Sequence, residues 1–400
     1  MKISENKLIV WIIILLPLVD IINGFMLKVA NMSGFGIIMH TLFLLIMIKK
    51  ISYKKAQKNT IYIIFLIVYL SIQTLITNCF YNLSPHDNFS YIIKYIYFFI
   101  TLETLIYFKN NNTLWKYIKK SYTWLYPLGS ILPRLMGYSF SSYGSGEGAL
   151  GFMYSQNSYT FVMIVSLYWS LEILFKKVNL LNIIRTILCL VSLLLIGSKS
   201  GYIFTGLVIA YLVFNNIKKH GAYNTPRVTF VILSVLIIIL IIFRLYSAEL
   251  NLIYTRILYF LNYYGHSSFD AILNFLTSDR WNRIDRYFTS FSDNIFSIVF
   301  GLGYGYFENT VTTEMDIFNL IYIFGILGTI IYIITFIKVT KIHKYKNSYK
   351  TLLIFLTTYL FFGGHVLADV MANNILAIVI IMGQQMAYPL VTEKGRKQIT

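Results

Sequence analysis

Long apolar runs separated by short polar connections set the rhythm of this chain. Runs of spanning length fall near residues 8–27, 30–48, 60–78, 89–108, 119–136, 157–175, 181–197, 201–216, 228–246, 317–337, 351–369 and 372–389. Each approaches the roughly 20 residues a helix needs to cross a bilayer core. The pattern predicts an all-α, polytopic integral membrane protein: about twelve transmembrane helices in a single membrane domain over residues 1–400. The fifth run carries Pro127 and Pro133, and only Ser198-Lys199-Ser200-Gly201 separates the seventh from the eighth. One long connection, residues 247–313, breaks the rhythm. Within it Trp281, Ile284, Phe288, Phe291 and Ile295 recur at helical spacing, while Arg280, Arg283 and Arg286 share the opposite arc. That predicts an amphipathic helix with a cationic stripe.

Composition agrees with the pattern. At 57% hydrophobic and 12% charged residues, with mean hydropathy +0.66, the apolar surface exceeds what a water-soluble globule can bury. A net charge of +18 would point to nucleic acid in a soluble protein. Here the basic residues sit in short loops between apolar runs, which calls for a topological explanation and gives no nucleic-acid surface. Cys79 and Cys189 are placed too far apart along the spans for a disulfide framework. The first run is too long for a signal-peptide core and is read as a span.

Charge asymmetry sets the expected orientation. Of 34 Lys and Arg, 25 fall in even-side connections, eight in odd-side ones, and Lys94 lies inside a run. Both termini are therefore expected in the cytoplasm and the 247–313 loop outside. The outer eight comprise six Arg and two Lys, the inner 25 three Arg and 22 Lys. Orientation does not require Arg, so the outer arginines call for another role, such as a fork for a pyrophosphate.

Candidate chemistry gathers on that outer side. Thr313-Glu314-Met315-Asp316 has the form of a capping box, so its acids either close a helix or accept a proton. Gly363-Gly364-His365, with Asp369 one turn on, offers an imidazole and a carboxylate. Asn157 is placed as an N-cap or a ligand contact, and Lys199 as an anion contact or an interface mark. Inside the spans, Asp20 and Lys94 lie at similar depth and are expected to pair, while Glu103 and Glu172 are expected to snorkel or meet nearby Lys. The glycines 301, 303 and 305 follow no strand, which argues against a nucleotide loop.

The order of these features resembles the O-antigen polymerase and ligase superfamily, including Wzy-type polysaccharide polymerases. The resemblance is carried by Arg280, Gly301-Leu302-Gly303, Glu314-Met315-Asp316, Tyr322-Ile323-Phe324-Gly325-Ile326-Leu327-Gly328 and Gly364-His365-Val366-Leu367, with the 151–157 and 198–201 segments before them. It covers roughly residues 145–375. It implies a bacterial inner-membrane glycosyltransferase that polymerises undecaprenyl-pyrophosphate-linked repeat units for an O-antigen, capsule or exopolysaccharide at the outer leaflet. Arg280, Arg283, Arg286, Lys199 and Arg256 would hold the pyrophosphate; Asn157, Gly301 and Gly303 would line the substrate; Glu314, Asp316 or His365 would accept the proton. No cofactor or metal is implied, and the partners would be the lipid-linked glycan, the bilayer, a flippase and a chain-length regulator. Ligases usually carry His-Asn after the large loop, whereas this chain has Glu314 and Asp316, which favours polymerase over ligase. A lipid-linked oligosaccharide flippase or a secondary transporter would instead favour two similar halves.

Overall fold

The computed structural model describes residues 5–52, 60–142, 148–220, 280–307, 313–341 and 348–387, with the isolated positions 258, 262, 274 and 277. The described residues form α1 (Glu5–Lys28), α2 (Phe35–Ser52), α3 (Thr60–Tyr81), α4 (Pro85–Ile106), α5 (Asn112–Leu135), α6 (Gln156–Lys176), α7 (Leu180–Ile196), α8 (Lys199–His220), α9 (Arg280–Ser292), α10 (Ile295–Phe300), a 3₁₀ turn (Tyr304–Phe307), α11 (Asp316–Thr340), α12 (Ser348–Phe362) and α13 (Val370–Ala387). An isolated Phe140–Gly151 bridge is the one β feature among them. Ten of the twelve apolar runs coincide with these helices, and the run at 351–369 is helical only as far as Phe362. The run at 228–246, Arg256 and most of the 247–279 stretch lie outside the described residues.

Among the described residues, seven helices are long and apolar enough to cross a membrane: α1, α2, α3, α4, α6, α8 and α11. Their environments differ. Ile37, Ile38, Ile61 and Phe65 on α2 and α3 are exposed, as expected of surfaces solvated by lipid. By contrast α6 is buried on nearly every side, with Tyr159, Tyr168 and Trp169 in the core. Against it lie α7, α8 and α13, and α13 packs extensively on α4.

The two prolines of α5 are accommodated by neighbours. Pro127 has no N–H for the Thr123 carbonyl, and the Cys189 thiol of α7 donates to that oxygen at 3.7 Å. Pro133 likewise leaves the Gly129 carbonyl without its helical partner, and Phe152 N–H donates to it at 3.0 Å. A satisfied kink of this kind is tolerated in a membrane helix.

A second irregularity lies in α11. Gly325 has φ 71° and ψ 177°, which breaks the helix after one long turn-pair. The carbonyls that the break releases are taken up within the protein: Leu302 N–H donates to Tyr322 O (2.7 Å), Gly303 N–H to Ile323 O (3.1 Å), and the buried Gln73 amide to Ile323 O (3.0 Å), the same amide also reaching Phe300 O at the end of α10 (2.6 Å). Gly301, at φ 82°, lies so close that a Cβ there would sit 2.3 Å from Ile323 O. The Gly301-Leu302-Gly303 turn thus seals a broken helix.

Candidate active site

The amphipathic helix predicted in the long loop forms as α9, with a rotated apolar face. Ile284, Tyr287 and Phe291 are buried, while Trp281 and Phe288 are exposed. The i, i+3, i+7 spacing is met, but the docking partner selects the stripe: Phe291 packs on the Tyr322 ring at 5.2 Å, and the Tyr322 hydroxyl donates to Ile284 O at 3.1 Å. This docking turns the first two arginines toward the head of α11. Arg280 Nε donates to Glu314 Oε2 at 3.2 Å, and Arg283 Nη1 pairs with Glu314 Oε1 at 2.9 Å. Arg286 is exposed and outside this group.

Glu314 stands on an unusual backbone. Its φ is +55°, in the left-handed region that a non-glycine residue adopts at a cost, and His365 is alike at +67°. The two segments are in contact through Gly364, where a Cβ would lie 2.0 Å from the Glu314 carbonyl carbon. Asp316, fully buried at the first turn of α11, locks them together: its Oδ2 accepts from Val366 N–H at 2.9 Å and Leu367 N–H at 3.1 Å. Thr313 does not complete a capping box. The N-cap is Met315 without a side-chain cap bond, and Thr313 Oγ1 donates to Asn319 Oδ1 at 2.6 Å. Through this oxygen Asp316 positions the backbone of the 366–367 segment.

The Gly363–Asp369 segment is non-helical yet recessed. Asn373 on α13 donates to Lys94 O at 2.8 Å and to Leu367 O at 3.0 Å. Lys94 lies nine residues into α4, or about 13 Å below its first turn. Irregular backbone at that depth is tolerated where protein buries it or where it lines a polar cavity. Asp369 does not serve His365; its Oδ1 accepts from Ala372 N–H at 3.1 Å and caps α13. Glu314 is the carboxylate whose charge acts on His365.

Electrostatics follow from this crowding. Burial alone would raise the Glu314 carboxyl, but Arg280 and Arg283, with His365, outweigh it and hold it below the ordinary range. His365 is held below the ordinary imidazole range, first by burial and then by Arg280, Lys94 and Arg283, against the opposing pull of Glu314. The floor is thus a carboxylate clamped by two guanidinium groups, with the buried His365 imidazole beside it.

The remaining expectations divide. Tyr359 of α12 donates to Asn157 O at 3.1 Å and feels the charge of Arg280, so Asn157 borders the site through its backbone. It is not an N-cap, because α6 begins at Gln156 after Ser155. Ser198 caps α8 through Gly201 N–H at 3.0 Å, Ser200 of the same turn meets Tyr359, and Lys199 opens that helix between them. Gly301 and Gly303 belong to the α11 seam. Asp20 does not pair with Lys94: it meets His40 Nε2 at 3.2 Å and accepts from Tyr126 at 2.8 Å, whereas Lys94 acts on His365 and Asp369. Sequence reasoning missed Tyr359 and the locking role of Gly364, neither of which carries a local signal. A cavity of about 810 Å³, lined by Lys7, Trp11 and Asn110–Asn112 among others, shares no residue with this cluster.

Among the described residues no group of His, Cys, Asp and Glu is arranged to hold a metal ion. The fold and site define an all-helical membrane protein with a recessed charged floor. Comparison with family models, curated proteins and solved structures finds no match.

Proposed function

We propose that the protein is a polymerase of undecaprenyl-pyrophosphate-linked oligosaccharide repeat units, working at the outer leaflet of a bacterial cytoplasmic membrane. The observation that carries this reading is the meeting of Arg280 and Arg283 with Glu314 and His365 on one recessed floor. Glycosyl transfer from such a carrier needs positive charge at the departing diphosphate and an acceptor for the hydroxyl proton. The arginines meet the first need; Glu314 or His365 meets the second. Asp316 holds both in register, and the Lys199 turn and Asn157 complete the rim.

In this reading twelve helices cross the membrane, both termini are cytoplasmic, and residues 247–313 form the large outer loop, as the Lys and Arg distribution requires. The acceptor is the terminal hydroxyl of a second lipid-linked repeat. A flippase supplies both substrates and a chain-length regulator acts on the product. The broken α11 is the feature that favours a transporter, since broken helices serve ion and substrate sites there. Its released carbonyls are occupied by Leu302, Gly303 and Gln73, which favours a structural seam.

Deletion of the gene and sizing of the surface glycan tests the reading. A polymerase loss leaves single repeats, a flippase loss leaves none, and unchanged polymer removes the proposal. Orientation is tested with Asp270→Cys in a chain lacking its own thiols: labelling by an impermeant reagent on intact cells is expected, and labelling only after lysis overturns the topology.

A further inference from the structure

The ion pair of Glu314 with Arg280 and Arg283 has a chemical consequence for the order of events. Both guanidinium forks that would receive a diphosphate are already engaged by one carboxylate, at 3.2 and 2.9 Å. Their side chains, like that of Glu314, retain partial exposure, so an incoming anion can reach them. We propose that the donor's diphosphate binds by displacing Glu314 from the two arginines, and that the displaced carboxylate is the base that accepts the acceptor hydroxyl's proton. This rests on the polymerase reading and assigns the base within it.

Charge balance supports the exchange. Two guanidinium charges match the two negative charges of a diphosphate diester, which leaves the Glu314 carboxylate in surplus. Burial then favours its protonated form, because the arginines that opposed burial are engaged elsewhere. The other groups facing it work in compatible directions. Asp316 Oδ2 is committed to Val366 and Leu367 and Asp369 Oδ1 to Ala372, while His365, Lys94 and Tyr359 stand at the border. Glu314 also stands on left-handed backbone (φ 55°), a local cost of the kind that clusters at functional sites.

The step balances. The acceptor oxygen forms a bond to the donor's anomeric carbon, the anomeric carbon–oxygen bond to phosphorus breaks, and its electron pair leaves with the lipid diphosphate. The hydroxyl proton passes to Glu314 and then to outer water. Without donor the base stays clamped, so water activation at an empty site is suppressed.

The test is binding of inorganic pyrophosphate to the full-length protein in nanodiscs, alongside polymer length in cells normalised to membrane-inserted protein. Glu314→Gln is expected to bind pyrophosphate roughly tenfold tighter than wild type, since the competing anion is gone, and to make single repeats only. Arg280→Ala and Arg283→Ala are expected to lose pyrophosphate binding. Glu314→Asp, which keeps the charge on a shorter arm, is expected to retain part of the polymerisation and to bind pyrophosphate between the two. Equal or weaker pyrophosphate binding by Glu314→Gln, or normal polymer from it, overturns the displacement. If Gln cannot be inserted, Glu314→Asp with wild-type pyrophosphate affinity does the same. Normal polymer from both arginine variants overturns the polymerase site itself, a separate outcome.

Discussion

Two carboxylates in this molecule are each held by two cations, and their surroundings set them apart. Glu172 on α6 pairs with Lys119 (2.5 Å) and Lys176 (2.8 Å), with the Tyr349 hydroxyl at 3.4 Å. All four residues sit on regular helices, and Lys176 is the i+4 partner expected of a helix surface. Glu314 pairs with two arginines, on left-handed backbone, against a non-helical recessed loop. The first arrangement satisfies a charge that a helix end has to place near the membrane boundary. The second sustains local backbone cost and concentrates planar donors where none is needed for orientation, which is the pattern expected of a site.

The comparison can be broken most sharply by removing one cation from each. Arg280→Ala is expected to lower polymer formation by about a hundredfold or more, as loss of a charge-stabilising contact does. Lys119→Ala is expected to leave polymer length unchanged at equal protein level. Comparable losses in both would erase the distinction. Blots of surface glycan normalised to inserted protein provide the measurement.

Next in size is the contact beneath Glu314. Gly364→Ala places a methyl group within about 2 Å of the Glu314 backbone, so the floor has to move and polymer is expected to fall at least tenfold. Gly206→Ala on α8 has nothing within 4 Å and is the silent control. Wild-type activity from Gly364→Ala would mean that the α11–α13 register is unimportant.

Asp316 sharpens the same point. Asp316→Asn keeps an oxygen for Val366 and Leu367 and is expected to retain most activity, whereas Asp316→Ala leaves two buried N–H groups unpaired and is expected to reduce inserted protein severalfold. A base would behave otherwise: Asn would abolish polymer without affecting protein level. His365→Ala belongs to this series, and single repeats from it beside normal polymer from Glu314→Gln would move the base to His365.

The smallest effect expected is on pH-dependent stability. The folded Glu314 carboxyl lies below its unfolded range, so its contribution is present above the unfolded pKa and is lost as pH falls through the lower folded value. A partly exposed pair carries little, and thermal unfolding in detergent should show Glu314→Gln narrowing the difference between neutral and acid pH by roughly one or two degrees. No narrowing would mean that the arginines hold Glu314 as firmly protonated as ionised.

Periodicity alone located the helices, because a bilayer demands a continuous apolar run and each run is a local property of the chain. Ten of the expected runs match helices in position, the run at 351–369 stops being helical at Phe362, and the residues around Arg280, Glu314 and His365 stood out as charge in an uncharged context. What periodicity could not decide was partnership. Asp20 met His40 instead of Lys94, and Asp369 turned to its own helix. Asp316 bonded a loop 50 residues away, and Gly301 and Gly303 closed a seam made by Gly325. Each of these rests on an angle about a helix axis or on a backbone carbonyl released elsewhere, quantities fixed only when all helices pack together. The sequence by itself determined which residues are costly to place in a membrane; the tertiary structure decided which of them compensate one another and which are left facing a shared floor.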